Sequence, residues 1–267
     1  MIFLVKQFYT GDNYTTQGDN RVIWDKLFLN SRWYFVYNYA KQVISGRSAA
    51  VKGKYDAEKW VEGSVNIAKA IEKSGGRLFI EGIDNIRKVE GPVVFVSNHM
   101  SVLETFVFPG IIEPIKRVTF IVKNSLVTNP IFGPVMRSRD PIVLSRTNSR
   151  EDLIKVLKEG SEKLKNGVSI IVFPEGSRMA SFKPENFNSL GVKLAKEAGV
   201  PIIPVAIRTD FWPNGKLIKD VGPIYRKKPV CITFGEALNI TGNGKAEHKQ
   251  IIEFIEENVK KFDSIKL

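Results

Sequence analysis

From residue 77 onward, short apolar runs alternate with stretches whose apolar positions recur at helical spacing. The runs at 77–80, 93–96, 118–122, 142–144, 168–173, 202–207 and 230–234 have the length and the aliphatic and aromatic content of strands. Helices are predicted to begin at 101–108 and to span 149–164, 190–198 and 251–262. The helix at 149–164 carries the stripe Leu153, Val156, Leu157 and Leu164; Asn148 or Ser149 caps its start and Asn166-Gly167 stops it. Asp84-Asn85 and Gly91-Pro92 mark turns. Strands in regular alternation with helices predict an α/β fold with a mostly parallel central sheet flanked by helices. Chemistry is expected in the loops beyond the strands of such a sheet.

The first part of the chain reads differently. Residues 10–21 are polar and rich in Gly, Asn and Thr, which predicts a loop. A helix is predicted over 24–44, with Trp24, Leu27, Phe28 and Phe35 on one face and Leu29, Trp33, Val36, Ala40, Val43 and Ile44 on another. Its charges are few: Asp25, Lys26, Arg32 and Lys41. A surface so broadly apolar must be covered, either by the main domain or by the interfacial layer of a bilayer, where Trp and Tyr are favoured. Arg47, Lys52, Lys54 and Lys59 follow closely and suit lipid phosphates. A second helix is predicted over 57–73, with Trp60, Val61, Val65, Ala68 and Ile71 on one side, ended by Gly75-Gly76.

Composition narrows the partners. A chain of 267 residues, 43% hydrophobic, makes one large α/β domain or one domain with a small appendage. The net charge of +12, from 40 basic and 28 acidic residues, attracts nucleic acid, anionic lipid or anionic substrates without choosing among them. The charges are scattered and no nucleic-acid motif is present, so no nucleic-acid partner is expected. Cys231 is the only cysteine and lies in an apolar run, which excludes an internal disulfide and predicts a small core residue in a reducing compartment. No stretch reaches 18 apolar residues, so membrane contact is expected to be peripheral. The opening Met1-Ile2-Phe3-Leu4 has an apolar character but no leading positive segment or small-residue cleavage signal.

Two polar clusters carry the candidate chemistry. Ser97-Asn98-His99-Met100-Ser101 follows the run at 93–96, with Glu104 five positions beyond the histidine. The other histidine, His248, lies among Lys245, Glu247 and Lys249 and reads as surface. His99 is therefore the candidate general base. If His99 precedes a helix and Glu104 sits on its second turn, the carboxylate accepts from one ring nitrogen, fixes the tautomer and offsets the charge when the other nitrogen takes a proton. The same spacing also suits a histidine that caps a helix, with Glu104 on a solvated face. No Gly-x-Ser-x-Gly pattern is present, so a His–carboxylate pair would activate a hydroxyl or water directly. The second cluster, Phe173-Pro174-Glu175-Gly176-Ser177-Arg178, follows another strand. Gly176 permits an unusual backbone angle, Arg178 suits an anion, and Glu175 is placed to orient Arg178 or order the loop. An ordinary turn with a surface arginine fits the same residues. Arg137, Arg139 and Arg146 cluster upstream, and Arg146 is the best second clamp.

These clusters resemble the glycerolipid acyltransferases of the 1-acylglycerol-3-phosphate acyltransferase type. Asn98-His99 with Glu104 resembles the family's catalytic His-x4-Asp block. The run from Lys123 through Pro130-Ile131-Phe132-Gly133 to Arg146 resembles the second block, and Phe173–Arg178 the third, phosphate-binding one. Val200-Pro201-Ile202-Ile203-Pro204-Val205 resembles the fourth. The resemblance implies His99 and Glu104 as catalytic residues, and Arg146, Glu175, Gly176, Ser177 and Arg178 around the substrate phosphate. It implies an acyl or acceptor pocket shaped by Val200, Pro201, Ile202 and Pro204. An acyl group would pass from acyl-CoA or acyl carrier protein to the free hydroxyl of a lysophospholipid, with oxyanion donors among backbone N–H groups near Gly176. No metal or bound cofactor is implied. Residues 1–75 would form a helical membrane-associating region and 76–267 the acyltransferase domain. Trp24, Phe28, Trp33, Phe35, Arg47 and Lys52 would meet an anionic membrane surface on the cytoplasmic face of the cell membrane. Two positions depart from the pattern: Glu104 stands for the usual Asp, and Asp140-Pro141 for Gly-Ala. Asp140 would repel a phosphate unless paired, for instance with Arg137 or Arg139. The acceptor could then be another lyso-lipid, such as a lyso-ornithine lipid, or the fold could serve as a non-catalytic lipid-binding module.

Overall fold

The computed structural model describes residues 5–27, 31–215 and 219–265. Phe28, Leu29 and the opening Met1-Ile2-Phe3-Leu4 lie outside the described residues. In chain order the elements are β1 (Tyr14–Thr15), α1 (Ile23–Leu27), α2 (Trp33–Val51), α3 (Ala57–Lys73), β2 (Leu78–Glu81), α4 (Ile83–Arg87), β3 (Val94–Ser97) and α5 (Leu103–Ile112). Then come β4 (Val118–Lys123), α6 (Asn124–Val127), α7 (Gly133–Ser138), β5 (Ile142–Leu144), α8 (Ser149–Lys165) and β6 (Ser169–Val172). The chain continues with α9 (Leu190–Ala198), β7 (Ile202–Arg208), β8 (Val230–Phe234) and α10 (Lys245–Ser264). The expected loop at 10–21 contains β1, and the expected turn at Asp84-Asn85 is the short helix α4.

Among the described residues the strands form one sheet in the order β1-β2-β8-β7-β3-β6-β4-β5. The block β7-β3-β6-β4-β5 is parallel throughout, and β8 runs antiparallel to β7. The mostly parallel sheet expected from the alternation is therefore present. Successive side chains point to opposite faces of a strand, and the buried residues divide accordingly. Phe95, Ile171, Ile203, Val205 and Ile207 enter one core with α3 and α5. Val94, Val96, Ile170, Val172, Ile202 and Ala206 enter the other, with α8, α9 and α10. Cys231 is fully buried in the second core, and burial pushes its thiol up to about 12.

The amino-terminal helices belong to this same core. Ser64 of α3 donates to Val107 O (2.9 Å) and accepts from Gly110 N (2.7 Å). Pro109 interrupts the hydrogen-bond ladder of α5, and the serine hydroxyl serves the backbone groups on either side of it. A Cβ at Gly76 would lie 2.6 Å from both Ile71 and Phe211, so the expected domain boundary at 75/76 is a tightly packed junction. Asp25 of α1 is buried and accepts from Arg21 (2.6 Å) and Arg226 (2.9 Å), while Arg226 also donates to Ser74 O (2.8 Å).

The single helix expected over 24–44 is two helices, and α2 extends to Val51. Phe35, Tyr39 and Val43 face the core, where Phe35 packs edge-on against Phe211 and Trp212 with ring centroids 5.7 and 4.8 Å away. Phe35 is 0% exposed, which removes it from the expected membrane-contact set. The exposed apolar residues of α2, Trp33, Tyr37, Ile44 and Val51, fall within a stripe about 40° wide on the opposite side. Sequence periodicity had placed Val43 and Ile44 together; the helix turns them to core and surface respectively.

Truncation separates the two faces. Phe35→Ala is expected to lower unfolding free energy by about 3–5 kcal/mol, and Trp24→Ala to change it by no more than about 0.5 kcal/mol. Urea denaturation followed by circular dichroism measures both.

Candidate active site

The carboxyl ends of the five parallel strands deliver the candidate residues to one side of the sheet. His99 follows β3, Lys123 ends β4, Arg146 follows β5, Glu175 to Arg178 follow β6, and Thr209 follows β7. Asn98 fixes the β3–β7 junction: its side-chain amide donates to Ile207 O (3.0 Å) and accepts from Ile207 N (2.9 Å). It continues the ladder beyond the last backbone pairing, Ser97 with Val205.

Glu104 lies on the first turn of α5, not the second, and is 0% exposed. Its Oε1 lies 2.8 Å from His99 Nδ1 and accepts from Met100 N (2.7 Å) and Ser101 N (3.0 Å). Its Oε2 accepts from Ser101 Oγ (3.0 Å) and Thr209 Oγ1 (2.7 Å). The solvated-carboxylate alternative is thereby excluded. Burial alone would raise the proton affinity of this carboxyl. The hydrogen bond and charge of His99, then the Thr209 hydroxyl and backbone N–H groups, outweigh burial and hold it below the usual range. An ionised carboxylate only accepts, so Nδ1 carries a proton, and in the neutral imidazole Nε2 is then the free lone pair. The imidazole stacks on Phe173, ring centroids 4.2 Å apart. His248 is half-buried rather than on the surface, stacked near Phe187 at 6.1 Å.

Glu175 orders the loop but does not orient Arg178. Its Oε2 accepts from His99 N (2.6 Å), and Met179 N donates to His99 O (2.8 Å), so the third cluster brackets the histidine backbone. Burial, opposed by backbone N–H bonds and reinforced by the charge of Glu104, pushes the Glu175 carboxyl up to about 7. Arg178 pairs instead with Asp220 (2.6 Å). Gly176 has φ +67, and a Cβ there would meet only the Arg146 guanidinium, at 3.9 Å, so backbone conformation rather than crowding requires glycine there. Its N–H donates to Phe173 O (3.0 Å) and closes the turn, so it is not an oxyanion donor in this arrangement. Arg146 also has positive φ, +58, held by Asp152, which accepts from Ser145 N (3.0 Å) and Arg146 N (2.8 Å). Its guanidinium donates to Gly176 O, which joins the second cluster to the third. Asp140 pairs with Lys163, not with Arg137 or Arg139. Arg139 lies over the rings of Tyr55 and Trp60.

His99, Arg146, Gly176, Ser177 and Arg178 line one cavity of about 920 Å³. That volume is at the upper end of ligand pockets, roughly 300–1,000 Å³. Its wall includes the cations Lys123, Arg146, Arg178, Lys193 and Lys219. It also includes an apolar set from α2, α3, α5, β4 and α7: Val43, Trp60, Phe106, Phe120, Val135 and Met136. Val200, Pro201, Ile202 and Pro204 do not line it. Ile202 and Pro204 are buried in β7 beside β3 and shape the site only through the sheet. Thr209, Asp152 and Asp220 belong to the site but lie outside both polar clusters of the sequence. Only Thr209 has a local signal, a polar residue two positions beyond the apolar run at 202–207.

The model of the Acyltransferase family matches residues 77–208. A 1-acyl-sn-glycerol-3-phosphate acyltransferase of Pseudomonas aeruginosa is 30% identical over 192 residues, covering 72% of this chain and 70% of that one. A chloroplastic 1-acyl-sn-glycerol-3-phosphate acyltransferase of Arabidopsis thaliana is 30% identical over 131 residues, 49% of this chain and 36% of its own length. The crystal structure of the 1-acyl-sn-glycerophosphate acyltransferase PlsC from Thermotoga maritima superposes with a TM-score of 0.61 at 23% identity. It covers 90% of this chain and 97% of that one, and shows the same fold. With a histidine, backed by a buried carboxylate, opening on a cavity that has apolar and cationic walls, and these relatives, the chain belongs to the glycerolipid acyltransferase family and is an acyltransferase.

Proposed function

We propose that this enzyme transfers a fatty acyl group from an acyl thioester, acyl-CoA or acyl carrier protein, to the free hydroxyl of a lysophospholipid such as 1-acylglycerol-3-phosphate. The observation that carries the reading is His99 in the wall of a cavity with both apolar and cationic linings, backed by the buried carboxylate of Glu104. His99 Nε2 takes the acceptor hydroxyl proton as the oxygen attacks the thioester carbonyl. Glu104 holds Nδ1–H and offsets the imidazolium charge. Collapse of the tetrahedral intermediate breaks the carbon–sulfur bond, and the imidazolium proton passes to the departing sulfur. Arg146 and Arg178 hold the acceptor phosphate, with Arg178 exchanging Asp220 for it. The apolar lining takes the acyl chains.

Membrane contact is supported by the exposed apolar stripe on α2, together with the exposed Ile23, Trp24 and Leu27 of α1. Among the described residues no helix is long and apolar enough to cross a membrane. The stripe therefore supports a helix lying in the interface, with Arg47 and Lys52 near lipid phosphates on the cytoplasmic side.

Three measurements test these assignments. His99→Ala is expected to lower kcat roughly 10²–10⁴-fold with labelled acyl-CoA or acyl carrier protein and 1-acylglycerol-3-phosphate; equal turnover by both proteins would defeat the reading. Trp33→Ala combined with Ile44→Ser is expected to reduce co-sedimentation with phosphatidylglycerol vesicles without changing thermal stability. Glu175 has a raised folded pKa, so its neutral form favours folding, and that stability is present below 4.5 and lost as pH rises toward about 7. Glu175→Gln keeps an acceptor for His99 N–H, and should reduce the stability slope in that window while retaining activity; Glu175→Ala should lose activity.

A further inference from the structure

The extra methylene of Glu104, relative to the aspartate usual in the family, carries its carboxylate further from the α5 backbone and adds one freely rotating bond. Something must hold it. Most of the donors to Glu104 come from residues 99–101, the loop that also carries the imidazole. Those bonds tie carboxylate to loop; the contacts that hold the loop from outside, through Glu175, Met179 and Phe173, reach His99 and not the carboxylate. Thr209 is different. It lies 105 positions away in sequence, is 0% exposed, and follows the strand that neighbours β3. Its Oγ1 is 2.7 Å from Glu104 Oε2 and 3.0 Å from Ser101 Oγ. Ser101 Oγ in turn accepts from Leu103 N (3.0 Å) at the start of α5. Each hydroxyl has one proton. The carboxylate has none, so the Thr209 proton goes to Oε2, the shorter contact, and the Ser101 proton goes to Oε2 or Thr209 Oγ1. Thr209 is placed in turn by Asn98, whose amide grips Ile207 two residues before it, and by Trp212 N, which donates to Thr209 O (3.2 Å).

We propose that Thr209 is a positioning residue for acyl transfer: its hydroxyl anchors the longer Glu104 carboxylate to the end of β7 and so aims the His99 imidazole at the acceptor hydroxyl. It touches neither substrate nor the reacting atoms, and acts only through Glu104. The inference rests on His99 being the base. It assigns a partner for Glu104 outside the His-x4-Glu block.

The test compares Thr209→Val, which keeps the shape and removes the donor, with Thr209→Ser, which keeps the donor, in the full chain. Kinetics are measured with acyl-CoA and 1-acylglycerol-3-phosphate, with His99→Ala as reference. Thr209→Val is expected to lower kcat about tenfold, the scale of one hydrogen bond to a charged group, with KM for both substrates unchanged. Thr209→Ser should restore it. In a Glu104→Asp background the shorter carboxylate cannot reach Thr209 while it holds His99, so Thr209→Val should cost nothing further. The cycle then reads a coupling absent from a purely structural role. If Thr209→Val does not fold, Thr209→Cys, a weak donor of serine's shape, takes its place against Thr209→Ser. Unchanged kcat, an equal loss in Thr209→Ser, a loss confined to KM, or additivity with Glu104→Asp would each overturn the inference while His99→Ala remains inactive. Full activity in His99→Ala would instead remove the base assignment and this inference with it.

Discussion

A buried carboxylate held against an imidazole is the constraint around which the rest of this structure is arranged. An ionised group at 0% exposure is tolerated only when its oxygens are satisfied and an opposite charge can form beside it. Glu104 meets that condition with donors from the strand–helix loop and from the end of β7. Each donor must then be held in place. This accounts for the bidentate grip of Asn98 on Ile207 and for the position of α5 so soon after β3. It also gives the imidazole one fixed tautomer, which a general base requires.

The loop after β6 closes the same arrangement from the other side. Glu175 accepts from the backbone of His99, Met179 donates back to it, and Phe173 lies flat on the ring. A residue type that would read as a catalytic acid in isolation has a scaffolding role here. Arg146 reaches Gly176 O, and Arg178 rests on Asp220. These two cations therefore have partners in the same cavity wall. The partners differ in kind: a carbonyl leaves the charge of Arg146 uncompensated, whereas Asp220 neutralises Arg178.

The division of the amino-terminal helices follows from packing of large rings. Phe35, Tyr39 and Trp212 meet edge to face, with Phe35 and Tyr39 each within 5 Å of the Trp212 ring centre. That cluster locks α2 onto the core and turns Trp33, Tyr37, Ile44 and Val51 outward together. The result is an apolar stripe presented by a helix that is itself firmly seated, beside a cavity to which α2 contributes Val43 and Gly46.

Local pattern was enough to place the parallel strands, to start α8 at Asn148 or Ser149 and to offer His99 with Glu104 as a pair, because each depends on periodicity or on a spacing of a few residues; the fold chose Asn148 as the cap and buried the carboxylate against the ring. Residues 97–104 and 173–178 carry their chemistry in consecutive positions, so the family was legible there. What only the tertiary structure decided are contacts between segments far apart in the chain. Phe35 is buried and Trp33 exposed because periodicity shows which residues share a face but not which face is covered. Asp140 pairs with Lys163, Arg178 with Asp220 and Glu104 with Thr209 because strand order and helix docking bring them together. The apolar run at 202–207 is the strand its pattern predicts, and neighbours on both sides of β7 keep it in the middle of the sheet, so the pocket role that the resemblance implied for Val200, Pro201, Ile202 and Pro204 is not a direct one.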